Sequence, residues 1–501
     1  MSRKKVIIIG AGPGGLSAGM LLAHHDIDVH IYEKNSTIGG RNASMRLGDF
    51  VFDLGPTFFL MKEVLEDLFH RTGRSLSDYA ELQEIDPMYR LHFSDEMVFY
   101  PTRNQDRMKT ELERVFPGSH DGYLRYLNRE KKKYEKLIPC LAMPYSSLKD
   151  MLSWQFISSI PYLDLHQSVF GVLGRYFDDI HLKSSFSFQA KYLGMSPWEA
   201  PGLFSILSFI EHGGGIFHVT GGLSQLSAAM AKVFEEEGGT IHLSSPVREV
   251  LIENGCTVGV RLQDGSEQRA DDVVINADFA HAMTNLVDKR HRRKYSNDTI
   301  AKKEYSCSTF MLYLGINKVY DDMEHHSIIF ADDYRANIAD ITRNGVLSEQ
   351  PSFYVQNASV TDPTLAPAGK STLYVLVPVP NNTSNIDWSK EAGPLRDKII
   401  ALMETRGGYT DLRSHIEVER VITPQDWQDK ADVYNGAVFN LGHQLKQMLM
   451  FRPHNEFEEF KNCYLVGGGT HPGSGLPTIY QSALISSSLL LKKYGMQLEI
   501  M

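Results

Sequence analysis

The chain is poor in cysteine and has no spacing typical of a metal site. Its four cysteines lie far apart in 501 residues, and none forms a C-x-x-C pair. This usage argues against a disulfide framework and predicts reduced, mostly buried thiols in a cytosolic protein. The histidines form no ligand motif either, because His325 and His326 are adjacent and share neither a helix face nor a strand face. We therefore predict no metal.

Long apolar runs and blocks of basic charge are also lacking. No uninterrupted apolar run approaches ~18 residues, so we expect no transmembrane helix. The charged first residues lead into a short apolar run that glycines interrupt, which is not typical of a signal peptide. The net charge of −10 argues against a nucleic-acid partner. It does not argue against a membrane surface, because an apolar contact needs no lipid charge.

The beginning of the chain carries its most informative pattern. Residues 5–9 predict a buried parallel strand that leads into G-x-G-x-x-G, with Gly10, Gly12 and Gly15 as the three glycines. The first glycine permits a tight turn, the second lets a pyrophosphate approach the backbone, and the third lets the helix pack on the strand. A helix over residues 16–23 would direct its N-terminal N–H groups at the phosphates.

A second strand supports the same interpretation. Residues 28–33 alternate as a strand and end in Glu33, which lies 18 residues beyond Gly15. This is near the spacing expected of a carboxylate that accepts hydrogen bonds from ribose hydroxyls. The strand, the glycine-rich turn, the helix and the acid together predict a dinucleotide site.

The rest of the chain predicts two further strand-rich regions and a C-terminal closure. Asn254-Gly255 and Asp264-Gly265 are strong hairpin turns between strands of the region 240–277. A second region of alternating apolar residues predicts a sheet that forms the floor of a substrate site. A helix at 391–406 would lie on the opposite face of that sheet. Its clearest strands are residues 309–315, 327–330, 352–355 and 372–379. A short strand from Tyr464, a glycine-rich loop and a helix over 478–493 end the chain, and that helix N-terminus would stabilise negative charge on a reduced cofactor ring.

Two stretches are unusually apolar. Residues 137–177 are divided by Pro139, Pro144 and Pro161 into short helices. They are interpreted as a helical cap on the core or as a surface that enters a lipid monolayer, and the two readings are compatible. Residues 186–210, rich in aromatic side chains, predict either plain core or helices that line an apolar cavity.

Residues 34–41 resemble the second flavin signature of amine-oxidase-like FAD flavoproteins, in which Gly-Gly and a following Arg lie beside the diphosphate. The positive charge of Arg41 agrees with this role, because a guanidinium can form a bidentate pair with pyrophosphate. Residues 52–57 resemble the D-x-G-P segment of carotenoid desaturases, and nearly the whole chain resembles that family. The resemblance implies FAD as cofactor. The implied cofactor-binding residues are Gly10, Gly12, Gly14, Gly15, Glu33, Lys34, Gly40, Arg41, Pro56, Thr57, Val247, Gly468, Gly475, Leu476 and Pro477.

The resemblance also implies the architecture. We expect an α/β protein with a discontinuous Rossmann-type FAD-binding domain, an α+β substrate domain and a helical, membrane-contacting cap. The FAD-binding domain would comprise residues 1–75, 215–289 and 456–501. The cap would span residues 76–214, and the substrate domain residues 290–455.

The implied activity is successive dehydrogenation of a linear C30 or C40 polyene, dehydrosqualene (4,4'-diapophytoene) or phytoene, with oxygen or a quinone as electron acceptor. The implied location is the cytoplasm, with peripheral attachment to the cytoplasmic membrane. The sequence leaves the oligomeric state open and assigns no catalytic residue. Glu211 and His218 are only candidates for the proton acceptor, and a structural role is the first expectation for each.

Three alternatives stay open at this point. A diapolycopene-type carotenoid oxygenase has a similar overall sequence framework. An amine or protoporphyrinogen oxidase would need a cage or a polar group for its substrate, and the desaturase-like segments argue against it. A prenyl-chain escort of the Rab GDP-dissociation-inhibitor type shares the fold without a flavin, and the intact Gly12, Glu33 and Arg41 disfavour it.

Overall fold

The structure is a computed structural model that describes residues 3–498 of the chain. Its strands are β1 (Lys5–Ile9), β2 (Asp28–Tyr32), β3 (Ser44–Leu47), β4 (Phe50–Asp53), β5 (Leu82–Glu84), β6 (Arg90–His92), β7 (Val98–Phe99), β8 (Phe217–Val219), β9 (Thr240–His242), β10 (Val247–Glu253), β11 (Cys256–Leu262), β12 (Glu267–Arg269), β13 (Asp272–Ile275), β14 (Ser308–Ile316), β15 (His326–Ile329), β16 (Phe353–Gln356), β17 (Ser371–Val379), β18 (Ile416–Ile422) and β19 (Cys463–Leu465).

The helices vary from single turns to the 22-residue α4. They are α1 (Pro13–His24), α2 (Lys62–His70), α3 (Gln105–Val115), α4 (His120–Leu141), α5 (Trp154–Ser159), α6 (Val169–Leu173), α7 (Ile180–Ser185), α8 (Ile206–Gly214), α9 (Ser224–Glu236), α10 (Phe279–His281), α11 (Asn297–Ala301), α12 (Tyr334–Ala339), α13 (Trp388–Leu402), α14 (Leu412–His415), α15 (Pro424–Ala431) and α16 (Leu476–Lys493).

A five-stranded parallel sheet forms the first core, in the order β19-β13-β1-β2-β9. Alternate residues of β1 enter two different apolar clusters. Val6 and Ile8 pack with α1, α9 and α16, whereas Ile7 and Ile9 pack against the β10–β12 layer and α10. The strand order reverses between β1 and β13, so a crevice opens there at the carboxyl ends of the strands, where α/β sheets bind their ligands.

The predicted strands and turns of this region are confirmed. Helix α1 covers the predicted residues 16–23, and β2 ends one residue before Glu33. Asn254 and Gly255 join β10 to β11 with positive φ values of 50° and 74°. This is the geometry of the two-residue hairpin turn that the dipeptide predicts.

A seven-stranded sheet forms the second core, in the order β18-β14-β17-β16-β15-β6-β7. The four predicted strands of this region are present as β14–β17, and α13 packs against one face through Trp388, Leu395 and Ile399. The sequence analysis missed β6, β7 and β18. The first two come from residues 90–99, which the predicted division assigns to the cap, so the chain enters this sheet earlier than the sequence suggests.

Helices α3–α8 lie within residues 76–214, the region predicted to be a cap, and we use that word for the region below. An ion cluster holds it together: the fully buried Lys133 Nζ lies 3.0 Å from both Glu130 Oε1 and Asp164 Oδ2 and 2.7 Å from Ser205 Oγ. Residues 142–177 form short helical pieces, as predicted, but Pro139 lies inside α4, which continues to Leu141, so the predicted division at Pro139 is wrong. Six apolar side chains of the segment 148–165 project outward; we call them the exposed apolar set: Leu148, Leu152, Trp154, Ile157, Ile160 and Leu165. Within residues 3–498, no helix is long and apolar enough to span a bilayer.

Candidate functional site

The glycine-rich loop lies between β1 and α1 at the crevice of the parallel sheet. A Cβ on Gly15 would meet the Gly10 carbonyl oxygen at 2.2 Å, so only glycine lets α1 pack this close to β1. Asn276, at the end of β13, donates from Nδ2 to the Gly10 carbonyl oxygen at 3.0 Å. This contact fixes the path of the loop and was not predicted. The Asn276 side chain also lies close to Gly12 and Gly14, so neither position of the loop has room for a side chain without a shift of Asn276.

Glu33 lies directly after β2 and is almost completely buried. Its Oε2 accepts from the Ala11 N–H at 2.8 Å and its Oε1 from the Asn35 N–H at 2.9 Å. The carboxylate therefore holds the glycine-rich loop by a charge-assisted bond. A carboxylate oxygen can accept more than one hydrogen bond, so both oxygens keep capacity for ribose hydroxyls.

The Gly-Gly-Arg segment faces the glycine-rich loop. Gly39 adopts a φ of 100° and donates its N–H to the Ala11 carbonyl at 2.8 Å. A Cβ on Gly40 would lie 3.5 Å from the Gly12 Cα, so two glycine backbones face each other across a narrow gap. This is a cradle that a diphosphate can enter and that side chains would obstruct.

Arg41 brings a positive charge to this cradle without a close carboxylate partner in the described part of the chain. Its Nη1 donates to the Val438 carbonyl at 2.6 Å. With the Asn440 amide oxygen turned toward it, the guanidinium also donates to that oxygen at 3.0–3.2 Å. Burial lowers the pKa of Arg41, and the nearby Asp278 carboxylate opposes that shift. An anionic diphosphate would relieve the unfavourable burial of this charge.

The segment with Pro56 and Thr57 lies between the two sheets. Tyrosine hydroxyls of the seven-stranded sheet hold its main chain: Tyr313 donates to the Leu54 carbonyl at 2.5 Å and Tyr374 to the Gly55 carbonyl at 2.6 Å. Thr57 bonds to the Tyr354 hydroxyl at 2.8 Å.

Asp53 leads into this segment and is buried. Burial raises its pKa to about 6, although backbone N–H donors of α9 oppose the shift. The segment is therefore fixed by contacts that no local sequence pattern reveals.

The closing loop, residues 467–475, connects β19 to α16. Helix α16 starts at Leu476 with Pro477 in its first turn, and Gly475 precedes it with a φ of 115°. Ile479 and Gly467 lie against Gly14, so the N-termini of α1 and α16 meet at one groove. Both helix dipoles favour negative charge there.

Arg452 braces the closing loop. Its guanidinium is fully buried and donates to five main-chain carbonyls, with the shortest bond, 2.6 Å, to Gly468. Burial lowers its pKa to about 9. Among the described residues, no carboxylate forms an ion pair with it. No sequence pattern signals this role, because the acceptors are main-chain oxygens, which every residue type carries.

The other two predicted contacts lie at the edge of the groove. Val247 begins β10, and Ser245, two residues earlier, donates its N–H to the Glu33 carbonyl at 2.8 Å. Val247 is thus close to the predicted ribose site. Lys34 is different: its Nζ lies 2.5 Å from Asp432 Oδ2 at the surface. Its predicted cofactor contact stays a prediction, and in this structure the ammonium is already paired.

The glycine-rich loop contacts Glu33, the Gly-Gly-Arg segment and the start of α16, and together these segments carry the donor set that FAD requires. The facing glycine backbones and two helix N-termini suit a diphosphate, Glu33 suits a ribose, and Arg41 supplies the positive charge. The chain's own chemistry therefore fits the cofactor.

A buried polar region lies beyond the groove and contains both proton-acceptor candidates. His218 Nε2 lies 3.0 Å from Asp362 Oδ2, and both side chains are buried, so this pair has a structural partner. Glu211 Oε2 accepts from Tyr89 at 3.0 Å and from Gln189 at 2.8 Å. Burial raises the pKa of Glu211 to about 7. Neither residue is placed against a reacting atom, so their catalytic role stays a hypothesis.

Comparisons with known proteins establish the family of the chain. The family model for flavin containing amine oxidoreductases matches residues 13–491. The chain belongs to that family. It is 51% identical to 4,4'-diapophytoene desaturase (4,4'-diapolycopene-forming) of Methylomonas sp, over 98% of this chain and 96% of the relative. It is 38% identical to zeta-carotene-forming phytoene desaturase of Myxococcus xanthus, over 97% and 94%. Within the flavin family, the chain belongs to the carotenoid desaturases.

Solved structures agree on the fold alone. An oxidoreductase from Methanosarcina mazei has a TM-score of 0.62 at 15% identity, covering 96% of this chain and 99% of that one. A Rab GDI from Plasmodium falciparum has a TM-score of 0.54 at 12% identity, with 99% of each chain covered. Because an escort protein and an oxidoreductase share this fold, the family identity and the intact groove decide between them. FAD is the cofactor, and the protein is an FAD-dependent oxidoreductase.

Proposed function

We propose that this protein desaturates a linear C30 polyene, 4,4'-diapophytoene, by successive dehydrogenation with FAD. The observation that carries the proposal is the 51% identity, over nearly the whole of both chains, to a 4,4'-diapophytoene desaturase. Identity to the C40-forming phytoene desaturase of Myxococcus xanthus is 38%. Bound FAD supplies a two-electron acceptor for a hydride.

The interior next to the groove supports an apolar substrate. Phe58, which follows the predicted cofactor contact Thr57, stacks on His326 at 4.2 Å and lies 5.6 Å from the ring of Tyr192. The same apolar cluster contains further aromatic and aliphatic side chains of residues 186–210, some buried, such as Phe188, and some partly buried, such as Phe204 and Leu207. The chain's contribution to the reaction is therefore to hold an apolar chain in a region that excludes water.

The reaction can be tested one half at a time. Oxidised holoprotein is mixed anaerobically with 4,4'-diapophytoene in liposomes, and phytoene is the C40 comparison. We expect the C30 substrate to bleach the flavin faster and to yield the fine-structured absorption of a longer conjugated polyene. Faster bleaching by phytoene would overturn the C30 assignment. Bleaching by neither, with aldehyde formation from a desaturated polyene under oxygen, would favour the oxygenase alternative.

We also propose peripheral attachment of the cap to the cytoplasmic membrane and delivery of the electrons to oxygen or a quinone. The substrate is insoluble in water and must be taken from a lipid phase. The exposed apolar set supports this proposal, because Leu152 and Trp154 are 73% and 76% exposed. Apolar side chains at such exposure are stabilised by insertion into a monolayer.

A further inference from the structure

His443 joins two distant segments of the chain beside the predicted flavin contacts. Its side chain is buried, at 3% exposed, and its Nε2 accepts from the Ser474 N–H of the closing loop at 3.1 Å. A Cβ on Gly473 would lie 2.6 Å from the same nitrogen, so the loop can approach the ring this closely only with glycine at that position. Gly475 and Leu476, two of the predicted cofactor contacts, follow Ser474 directly. The imidazole therefore borders the predicted cofactor site.

The segment that carries His443 is tied to the closing loop by Arg452. The guanidinium donates to the carbonyls of Leu441 and Gly442 at 3.2 Å each. These two residues directly precede His443. The same guanidinium donates to the Gly468 carbonyl of the closing loop at 2.6 Å. One buried cation therefore holds both segments, and the histidine ring has a defined place between them.

The hydrogen bond to Ser474 determines which ring nitrogen of His443 carries the proton. Burial, and then the charge of the nearby Arg452, hold the pKa of His443 well below its usual range, so the ring is neutral. A neutral imidazole has one donor nitrogen and one acceptor nitrogen. Because Nε2 accepts, the proton lies on Nδ1. Among residues 3–498, the buried Nδ1 has no hydrogen-bond partner, and a buried donor without an acceptor is destabilising.

The surroundings of His443 limit what can accept a hydrogen bond from Nδ1. The ring of Phe204 lies 6.2 Å from the imidazole in an edge-on arrangement. Phe204 belongs to the apolar stretch 186–210, and a hydrocarbon polyene held against that stretch has no acceptor atom. The flavin ring does carry acceptors, because its carbonyl oxygens and ring nitrogens take hydrogen bonds from proteins. Of the two molecules, only the cofactor has the chemistry that this donor requires.

We infer that the Nδ1–H of His443 donates a hydrogen bond to the flavin ring of bound FAD and makes that ring easier to reduce. A hydride brings two electrons and one proton, so the flavin gains one negative charge on reduction. A hydrogen bond to a charged acceptor is about twice as strong as one to a neutral acceptor, so this bond favours the reduced form. We expect a preference of about tenfold, which is about 30 mV for a two-electron couple. The bond requires bound FAD but no polyene, so it is independent of the proposed C30 substrate.

Two substitutions separate the roles of the two ring nitrogens. In His443→Gln the longer amide can still accept from Ser474, as Nε2 does, but the donor at Nδ1 is lost. In His443→Asn the shorter amide keeps an N–H near the position of Nδ1 and loses the contact with Ser474. His212→Gln is the matched control. His212 is also buried, burial lowers its pKa to about 3, one of its ring nitrogens is unpaired in the described part of the chain, and it stacks on Phe186 in the cap.

The measurement is the reduction potential of the FAD in each holoprotein. It is read against a reference dye while xanthine and xanthine oxidase reduce both slowly without oxygen. Thermal unfolding of the same samples reports on the contact with the closing loop. We expect His443→Gln to lower the potential by about 30 mV with little change in Tm. His443→Asn should keep the wild-type potential and lower Tm, because the closing loop loses a hydrogen bond.

Three results would overturn the inference. The first is a wild-type potential in His443→Gln. The second is an equal shift in His443→Gln and His443→Asn, and the third is a comparable shift in His212→Gln, because altered packing alone would then explain the effect. None of these measurements uses a polyene. If the potential shifts as expected but 4,4'-diapophytoene fails to bleach the flavin, the proposed function fails and the role of His443 remains.

Discussion

The exposed apolar set allows a quantitative test of membrane attachment. The perturbation is Leu152→Asp/Trp154→Asp. Both side chains are about three-quarters exposed, so the variant removes surface apolar groups without opening the core. Full burial of such a side chain contributes about 1.5–3 kcal/mol. Scaled to their exposure, the two together contribute about 3 kcal/mol to insertion, which corresponds to about 150-fold in partitioning.

The assay is co-sedimentation with vesicles of neutral phosphatidylcholine, because the added carboxylates would be repelled by anionic lipid. The matched control is Leu243→Asp/Val346→Asp, which makes the same change at residues that are 41% and 47% exposed outside the cap. The control should bind like the wild type, and both variants should keep their FAD and thermal stability. Equal partitioning of the cap variant and the control would refute the assignment of the membrane contact to this segment.

Three further predictions concern buried charges. Glu33→Ala removes the acceptor for two N–H groups at the glycine-rich loop, so FAD titration should show at least about tenfold weaker binding; unchanged affinity would contradict the ribose role. Arg452→Leu removes the donor to five buried carbonyls and should lower the free energy of unfolding by about 3 kcal/mol or more, whereas the exposed Arg343→Leu should change Tm little. Because the pKa of Glu211 is raised to about 7 in the folded state, its stabilising contribution is complete below about 4.5 and is lost as pH rises through 7. Glu211→Gln should therefore gain stability relative to wild type over that window, by up to about 3 kcal/mol, and parallel unfolding curves at pH 4.5 and 7.5 would contradict the assignment.

The local part of the cofactor site was predictable because its glycines, its strands and its acid follow one another at fixed spacing. Each of them has a direct steric or electrostatic role. The turn at Gly10, the packing at Gly15 and the burial of Glu33 all follow from neighbours within about 25 residues of sequence. The same holds for the hairpin at Asn254-Gly255, whose positive φ values both residues tolerate.

The contacts that join distant segments could not be predicted. Asn276 reaches Gly10 across 266 residues, and Tyr374 reaches Gly55 across 319. In each case a side chain recognises a main-chain oxygen, which every residue type carries, so no local sequence pattern specifies the partner. Strands β6 and β7 were missed for a related reason: they are three and two residues long, and pairing of β6 with β15 and of β7 with β6 stabilises them rather than their own alternation.

The way Arg452 recognises the closing loop has a consequence for its tolerance to mutation. The guanidinium binds only carbonyl oxygens, so each of its contacts is independent of the side chain that the acceptor residue carries. The side chains of two acceptor residues have separate roles, because Gln447 Nε2 donates to the Glu304 carbonyl at 2.8 Å and Thr470 Oγ1 to the Pro453 carbonyl at 2.6 Å. A combinatorial library at these two positions would therefore test the side-chain contacts while every variant keeps its carbonyl for Arg452. The arginine itself is the residue that such a library must leave constant.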